Sequence, residues 1–201
     1  MTYKYLALGD SYTIGEAVAP DERWPHILQG RLVGDGIKVE MPKIIATTGW
    51  TTDELQAAID KEKPSKDYDL VSLLIGVNNQ YRGYPIDQYK KEFESLLQQA
   101  IAFAKGKSKR TFVLSIPDYG VTPFAASKEP AKIAREVDEY NRIAEAICDQ
   151  YEVAFVNITP GSRRAASEPA LVAEDGLHPS GKMYKEWVDA AYPIVKSMLK
   201  E

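Results

Sequence analysis

Short apolar runs alternate with amphipathic stretches along the whole chain. The runs at Tyr3–Leu8, Val39–Ala46, Leu70–Ile75, Thr111–Ile116 and Val153–Ile158 have the length of strands. LVSLLI and TFVLSI are almost unbroken, as expected of parallel strands covered on both faces. Pro42 interrupts the second run, and a residue without an N–H belongs at a sheet edge. The intervening segments have helical spacing. Phe93, Leu96, Leu97, Ala100, Ile101 and Ala104 form one stripe, and Ile133, Val137, Tyr140, Ala144 and Ile147 a second. Met183, Trp187, Ala191, Ile194 and Met198 form a third in the last helix.

Strands alternating with helices predict βαβ units, a five-stranded parallel sheet and right-handed crossovers. The fold class is α/β, a single three-layer α/β/α domain over residues 1–201. The stretch PDYGVTPFAASKEP, Pro117–Pro130, reads as a long surface loop rather than a boundary.

Composition narrows the class. With 201 residues and 44% hydrophobic content, the chain suits one core. The net charge is -4 and the longest basic cluster, Lys105–Arg110, reads as a solvated helix end, so no nucleic-acid partner is expected. Cys148 is the sole cysteine and falls in an apolar helical pattern, which predicts a buried small hydrophobe. No apolar run approaches the ~18 residues that span a bilayer. The N-terminus lacks a signal-peptide layout, so a soluble cytoplasmic protein is expected. Oligomeric state is not specified by these patterns.

In an open parallel sheet, ligands bind beyond the carboxyl ends of the strands. Gly9-Asp10-Ser11 follows the first run, Gly49 the second and Gly76-Val77-Asn78-Asn79 the third; Asp175 and His178 precede the last helix. A serine hydroxyl becomes a nucleophile when an imidazole takes its proton and a carboxylate orients that imidazole. Ser11, His178 and Asp175 are candidates for those roles. Gly49, the Asn78 amide and the Ser11 N–H are candidate donors to an oxyanion.

These blocks resemble the SGNH, or GDSL, hydrolase family: GDS at Ser11, an isolated Gly49, GxN at Gly76–Asn78 and DxxHP at Asp175–Pro179, in the family's order. The resemblance implies a flavodoxin-like sheet, no metal or other cofactor, and hydrolysis of carboxylic esters or thioesters through an acyl-enzyme. It assigns Ser11 as nucleophile, His178 as base, Asp175 as its orienter, and Gly49, Asn78 and the Ser11 amide as the oxyanion hole. GDSY with GVNN looks like the lysophospholipase-type bacterial esterases. Two positions depart from the pattern: Tyr12 stands for the common leucine, and Asn79 for a frequent aspartate. Tyr12 is expected to alter packing or a pocket wall, and Asn79 to support a loop.

Simpler readings stand beside these. Ser11 alone suits a helix N-cap, Asp10 a hydrogen-bonding brace, and Thr51 with Glu54 a capping box. Pro179 can open a helix. His26 reads as packing or surface, and two histidines far apart leave too few ligands for zinc. Gly176–Lys182 matches the first seven positions of a phosphate-binding P-loop, but Met183 follows and no strand precedes it. No GxSxG elbow is present. Tyr81, Arg82, Tyr84, Tyr119 and Phe124 are candidate walls of a pocket for a small acyl ester, Arg82 as partner of an anionic headgroup. Acyl transfer, deacetylation of a carbohydrate and a non-catalytic carbohydrate-binding domain are the alternatives.

Overall fold

The computed structural model describes residues 2–200; Met1 and Glu201, the ends of the expected domain, lie outside it. Five strands, β1 (Tyr5–Gly9), β2 (Lys43–Ala46), β3 (Leu70–Leu74), β4 (Thr111–Leu114) and β5 (Ala154–Val156), form one parallel sheet. Their order is β2-β1-β3-β4-β5. The inner strands β1, β3 and β4 are buried at every residue, which is why their sequences lack polar alternation. β2 lies at an edge. The apolar run predicted over Val39–Ala46 is divided by Pro42, so Val39 makes only an isolated bridge to Tyr3 and pairing with β1 begins at Lys43.

Helices cover both faces. α2 (Trp24–Gly34) and α8 (Gly181–Lys200) pack together on one side; α3 (Thr52–Glu62), α5 (Ile86–Phe103) and α6 (Pro130–Gln150) cover the other. Every residue of the predicted α6 stripe is buried. In α8 the stripe is rotated slightly: Val195 is fully buried while Ile194 is only half-buried. Cys148 is buried in α6, and burial pushes its thiol up to about 12.

The order in which successive strands are added reverses at β1, because β2 lies on one side of it and β3 on the other, all strands staying parallel. The carboxyl ends of β1 and β3 therefore flank a crevice. From those ends run two short helices, α1 (Ser11–Ile14) and α4 (Val77–Tyr81). A third short helix, α7 (Thr159–Ser162), follows β5.

The segment 117–130 departs from the expected surface loop. Pro117 to Gly120 are buried, and the segment makes two 3-10 turns, Tyr119–Val121 and Pro123–Ala125. Asp118 anchors it through a 2.9 Å ion pair with Arg163. No described helix is long and apolar enough to cross a membrane.

Candidate active site

The serine is placed by its neighbour. Asp10, rather than Ser11, is the N-cap of α1: its Oδ1 accepts from the Tyr12 N–H at 3.0 Å, and its carbonyl accepts from Thr13 and Ile14. Ser11 is thus the first residue of the helix, at the crevice. Asp10 is fully buried and its Oδ2 has no protein partner. Burial lifts its carboxyl to about 7, against the opposing hydrogen bond from Tyr12.

His178 and Asp175 come from a hairpin-like turn. Val172 bridges Pro179 antiparallel, and the Ala173 N–H donates to the His178 carbonyl at 2.8 Å. Helix α8 begins at Gly181, so Pro179 closes this turn instead of opening the helix. Asp175 is held three times: Oδ1 accepts from the Leu177 and His178 amides at 3.0 and 2.9 Å, and Oδ2 meets His178 Nδ1 at 2.5 Å. Partial burial works against the carboxylate, but these hydrogen bonds prevail and hold its pKa below the usual value. The ring of Tyr12 packs against the imidazole, centroids 5.7 Å apart, with Trp187 behind Tyr12 at 6.1 Å.

The third wall is α4. Gly76 sits at φ +132°, and a Cβ there would meet the Tyr89 ring at 2.7 Å, so only glycine makes this bend. The bend delivers Asn78, whose Nδ2 donates to the Trp50 carbonyl at 2.9 Å. Asn79 is fully buried; its amide holds the Thr52 N–H at 3.0 Å and the Thr52 hydroxyl at 2.7 Å. It thereby fixes the start of α3. Thr51 and Glu54 cap that start, the Glu54 carboxylate accepting from the Thr51 N–H at 3.0 Å.

Ser11, Asn78, Tyr81, Tyr119, Phe124 and His178 line one cavity of about 90 Å³, together with Tyr12, Val77 and Leu177. Asp175 stands behind His178. Gly49, at φ +89°, is not among the residues lining the cavity; it sits on the loop that Asn78 grips through the Trp50 carbonyl. Arg82 is displaced from its expected position. It is not among the residues lining the cavity: its guanidinium donates to the Gly49 carbonyl at 2.6 Å and pairs with Glu54 at 3.2 Å. It therefore fastens the Gly49 loop to α4. The structure contains no direct Ser11–His178 hydrogen bond; such contacts are often long before substrate binds.

Neither Tyr84 nor His26 is on the cavity wall; His26 has its Nδ1 against the Pro20 carbonyl at 2.6 Å. Val77, Leu177 and the Trp50 carbonyl were not singled out from sequence. Leu177 could have been, by its place between Asp175 and His178; a main-chain carbonyl leaves no residue signal. Among the described residues, no three His, Cys, Asp or Glu side chains gather as a metal site.

A sequence model described as the GDSL-like Lipase/Acylhydrolase family matches residues 7–186. The chain belongs to this family. The GDS block at Ser11, Gly49, the GxN block at Gly76–Asn78 and the DxxHP block at Asp175–Pro179 all lie within the matched span. It is 26% identical to an arylesterase of Vibrio mimicus over 182 residues, covering 88% of this chain and 80% of that one. It is 25% identical to an acetylxylan esterase of Geobacillus stearothermophilus over 145 residues, 66% of this chain; the match spans only 62% of that enzyme. The solved structure of TesA superposes with a TM-score of 0.74 at 22% identity, covering 97% of this chain and 99% of TesA, which is a likeness of fold.

Proposed function

We propose that this protein is a metal-independent serine esterase that hydrolyses small carboxylic esters through an acyl-enzyme. The observation carrying this reading is that Ser11, Asn78 and His178, from three separate parts of the chain, share one cavity while Asp175 orients the imidazole.

With Nδ1 engaged by Asp175, the Nε2 of His178 is the nitrogen available to Ser11. It takes the hydroxyl proton as Oγ attacks the acyl carbon. The oxygen of the tetrahedral intermediate is met by the Ser11 N–H, the Gly49 N–H and the second hydrogen of the Asn78 amide, the first being committed to Trp50. His178 returns its proton to the departing alcohol. Water then attacks the acyl-serine by the same route and frees the acid.

Both curated relatives carry esterase names, which supports ester over thioester substrates. The acetylxylan esterase also favours an acetylated carbohydrate as a second reading of the alcohol part. A lysophospholipid is the alternative that the GDSY and GVNN blocks bring forward. The reading takes the protein as cytoplasmic, which fractionation of its native host checks.

The test is turnover of a chromogenic ester series by the wild type and Ser11→Ala, with chelator present and with added alcohol acceptors. Serine-dependent release of free acid is expected, with loss on the order of 10⁴-fold or more in Ser11→Ala. Acyl esters of the added alcohols as main product would make it a transferase. Full activity in the variant would end the proposal.

A further inference from the structure

Of the four large apolar side chains left exposed among the described residues, two line the Ser11 cavity: Tyr81, 48% exposed, and Phe124, 41% exposed. Each has one part against the cavity and another in solvent, so the pair forms its rim. Their ring centres are 6.0 Å apart. Tyr119 stands behind them, its hydroxyl donating to Gln80 Oε1 at 2.8 Å and its ring 5.9 Å from Tyr81 and 6.5 Å from Phe124.

Lys128 lies over this rim, outside the cavity wall. Its Nζ is 5.1 Å from the ring centre of Tyr81 and 5.3 Å from that of Phe124. The main chain beneath it is tied down. The Lys128 N–H donates to the Ala125 carbonyl at 2.9 Å, and the Phe124 N–H to the carbonyl of Gly176, between Asp175 and His178, at 2.9 Å.

Charge pairing sets Lys128 apart from its neighbours. Arg82, next to Tyr81, is matched by Glu54 at 3.2 Å, and Asp118, next to Tyr119, by Arg163 at 2.9 Å. Glu136 accepts from Gln80 Nε2 at 2.7 Å. Glu129, adjacent in sequence, leans to Lys132 at 3.9 Å instead. Among the described residues no carboxylate comes within 4 Å of Lys128, and its ammonium donates to no protein acceptor. Ring faces attract a cation without neutralising it, so its charge is left for a group crossing the rim.

The cavity's size says which part of an ester crosses there. A dry cavity of ~150 Å³ holds benzene. The 90 Å³ beside Ser11 therefore takes only a small acyl end, and the rest of the molecule lies outside, across Tyr81 and Phe124.

We propose that Lys128 is a specificity-determining residue, selecting esters whose protruding part carries an anionic group, a carboxylate or a phosphate, over the Tyr81–Phe124 rim. As a point charge without a planar fork, lysine meets either anion. The inference rests on the esterase reading for which substrates are cleaved; the anion subsite itself needs no turnover. Lys128 takes no part in proton transfer.

The experiment measures kcat/KM for three acetate esters of para-substituted phenols: anionic 4-acetoxybenzoate and 4-acetoxyphenyl phosphate, and neutral 4-acetoxybenzamide. The enzymes are the wild type, Lys128→Gln, Lys128→Glu and Lys38→Glu. Comparing the anionic-to-neutral ratio of each variant with that of the wild type cancels the intrinsic reactivity of the leaving groups. Lys38 is exposed at the amino end of the sheet, where its carbonyl accepts from the Tyr3 N–H at 2.8 Å. Its reversal changes net charge as Lys128→Glu does, without touching the rim.

At low salt the ratio is expected to fall about threefold in Lys128→Gln and about tenfold or more in Lys128→Glu, and to hold in Lys38→Glu. In ~1 M salt, where the Debye length is ~3 Å, these differences should collapse. The ester with the larger fall names the preferred anion. An unmoved ratio in Lys128→Glu, or an equal fall in Lys38→Glu, would overturn the proposal. So would a parallel loss on all three esters, which would make Lys128 only a brace for the rings. A second readout needs no chemistry: in the Ser11→Ala background, adding Lys128→Glu should weaken binding of 4-acetoxybenzoate about tenfold relative to 4-acetoxybenzamide. Equal changes would overturn the subsite. The expected change without turnover of any ester by the wild type would uphold the subsite and defeat the esterase reading.

Discussion

Two aspartates flank the proposed site, one beside Ser11 and one behind His178, and they are built on opposite principles. Asp10 lies beneath Ser11, fully buried, with one oxygen capping α1 and the other unpartnered. Asp175 stands behind His178 with its side chain 32% exposed, yet all its important contacts are made. Desolvation lifts the first carboxyl to about 7, while hydrogen bonds hold the second below its usual range. Burial alone therefore does not decide the charge of a carboxylate; the count of donors facing it does. The turn under the nucleophile tolerates a neutral acid, because capping needs only an oxygen acceptor. On the proposed mechanism the hairpin behind His178 needs an anion, because an imidazolium would be balanced there during turnover.

Substitutions can break this contrast. The largest effect is expected from Asp175→Asn, which keeps shape but removes the charge and disturbs the tautomer of His178. Ester kcat should fall by about 10³–10⁴-fold. A loss under tenfold would mean that Leu177 and the hairpin orient the base unaided. Next comes Asn78→Ala, with kcat down roughly 10²–10³-fold and KM little changed, as for removal of one oxyanion donor. A rise in KM alone would assign Asn78 to substrate binding.

Asp10→Asn should do little to kcat and much to the pH dependence of folding. The unfolded carboxyl titrates at 3.8 and the folded one at about 7, so between those values the unfolded chain has already released the proton that the native state retains. Wild-type stability should then decline as pH rises through this window, by up to roughly 4 kcal/mol, and the asparagine variant should lose that slope. Asp175 acts with the opposite sign: its contribution is present above the ordinary carboxylate pKa and is lost as pH falls through its depressed folded value. Denaturant midpoints from about pH 2 to 8 for the two variants separate these slopes, Asp175 acting below the ordinary carboxylate range and Asp10 above it, and identical slopes would refute the assignment. The smallest effect is expected at Gly49→Ala. Space is not the obstacle, since the nearest atom to a Cβ is Arg82 Nη2 at 3.7 Å, but φ +89° is left-handed and costs about 1–2 kcal/mol. Thermal unfolding should show that loss; an unchanged midpoint would mean that the loop relaxes.

The strands, their parallel pairing and the edge position of the Pro42 segment were legible in sequence, because alternation and continuous burial leave a periodic trace. So were the blocks at the strand ends. What escaped depends on atoms far away in the chain. Asp10 shows as a brace in sequence, but its raised pKa requires an environment with no second partner for Oδ2. Arg82 looked free to meet a headgroup until Glu54 and the Gly49 carbonyl came within its reach. Pro179 had the right residue type to begin a helix, yet the bridge to Val172 drew it into a turn. Segment 117–130 has the composition of a surface loop, and the Asp118–Arg163 pair turned part of it inward.

The proposed nucleophile follows the first strand and the proposed base stands three residues before α8, which packs on α2 and closes the second face of the sheet. On a translating ribosome, Ser11 is made 167 residues before His178. At ~5–20 residues per second that interval lasts about 8–33 s, during which the Ser11 hydroxyl has no imidazole of this site beside it. On the proposed mechanism hydrolysis waits until His178 reaches Ser11, so the onset of turnover is a clock for assembly of the site.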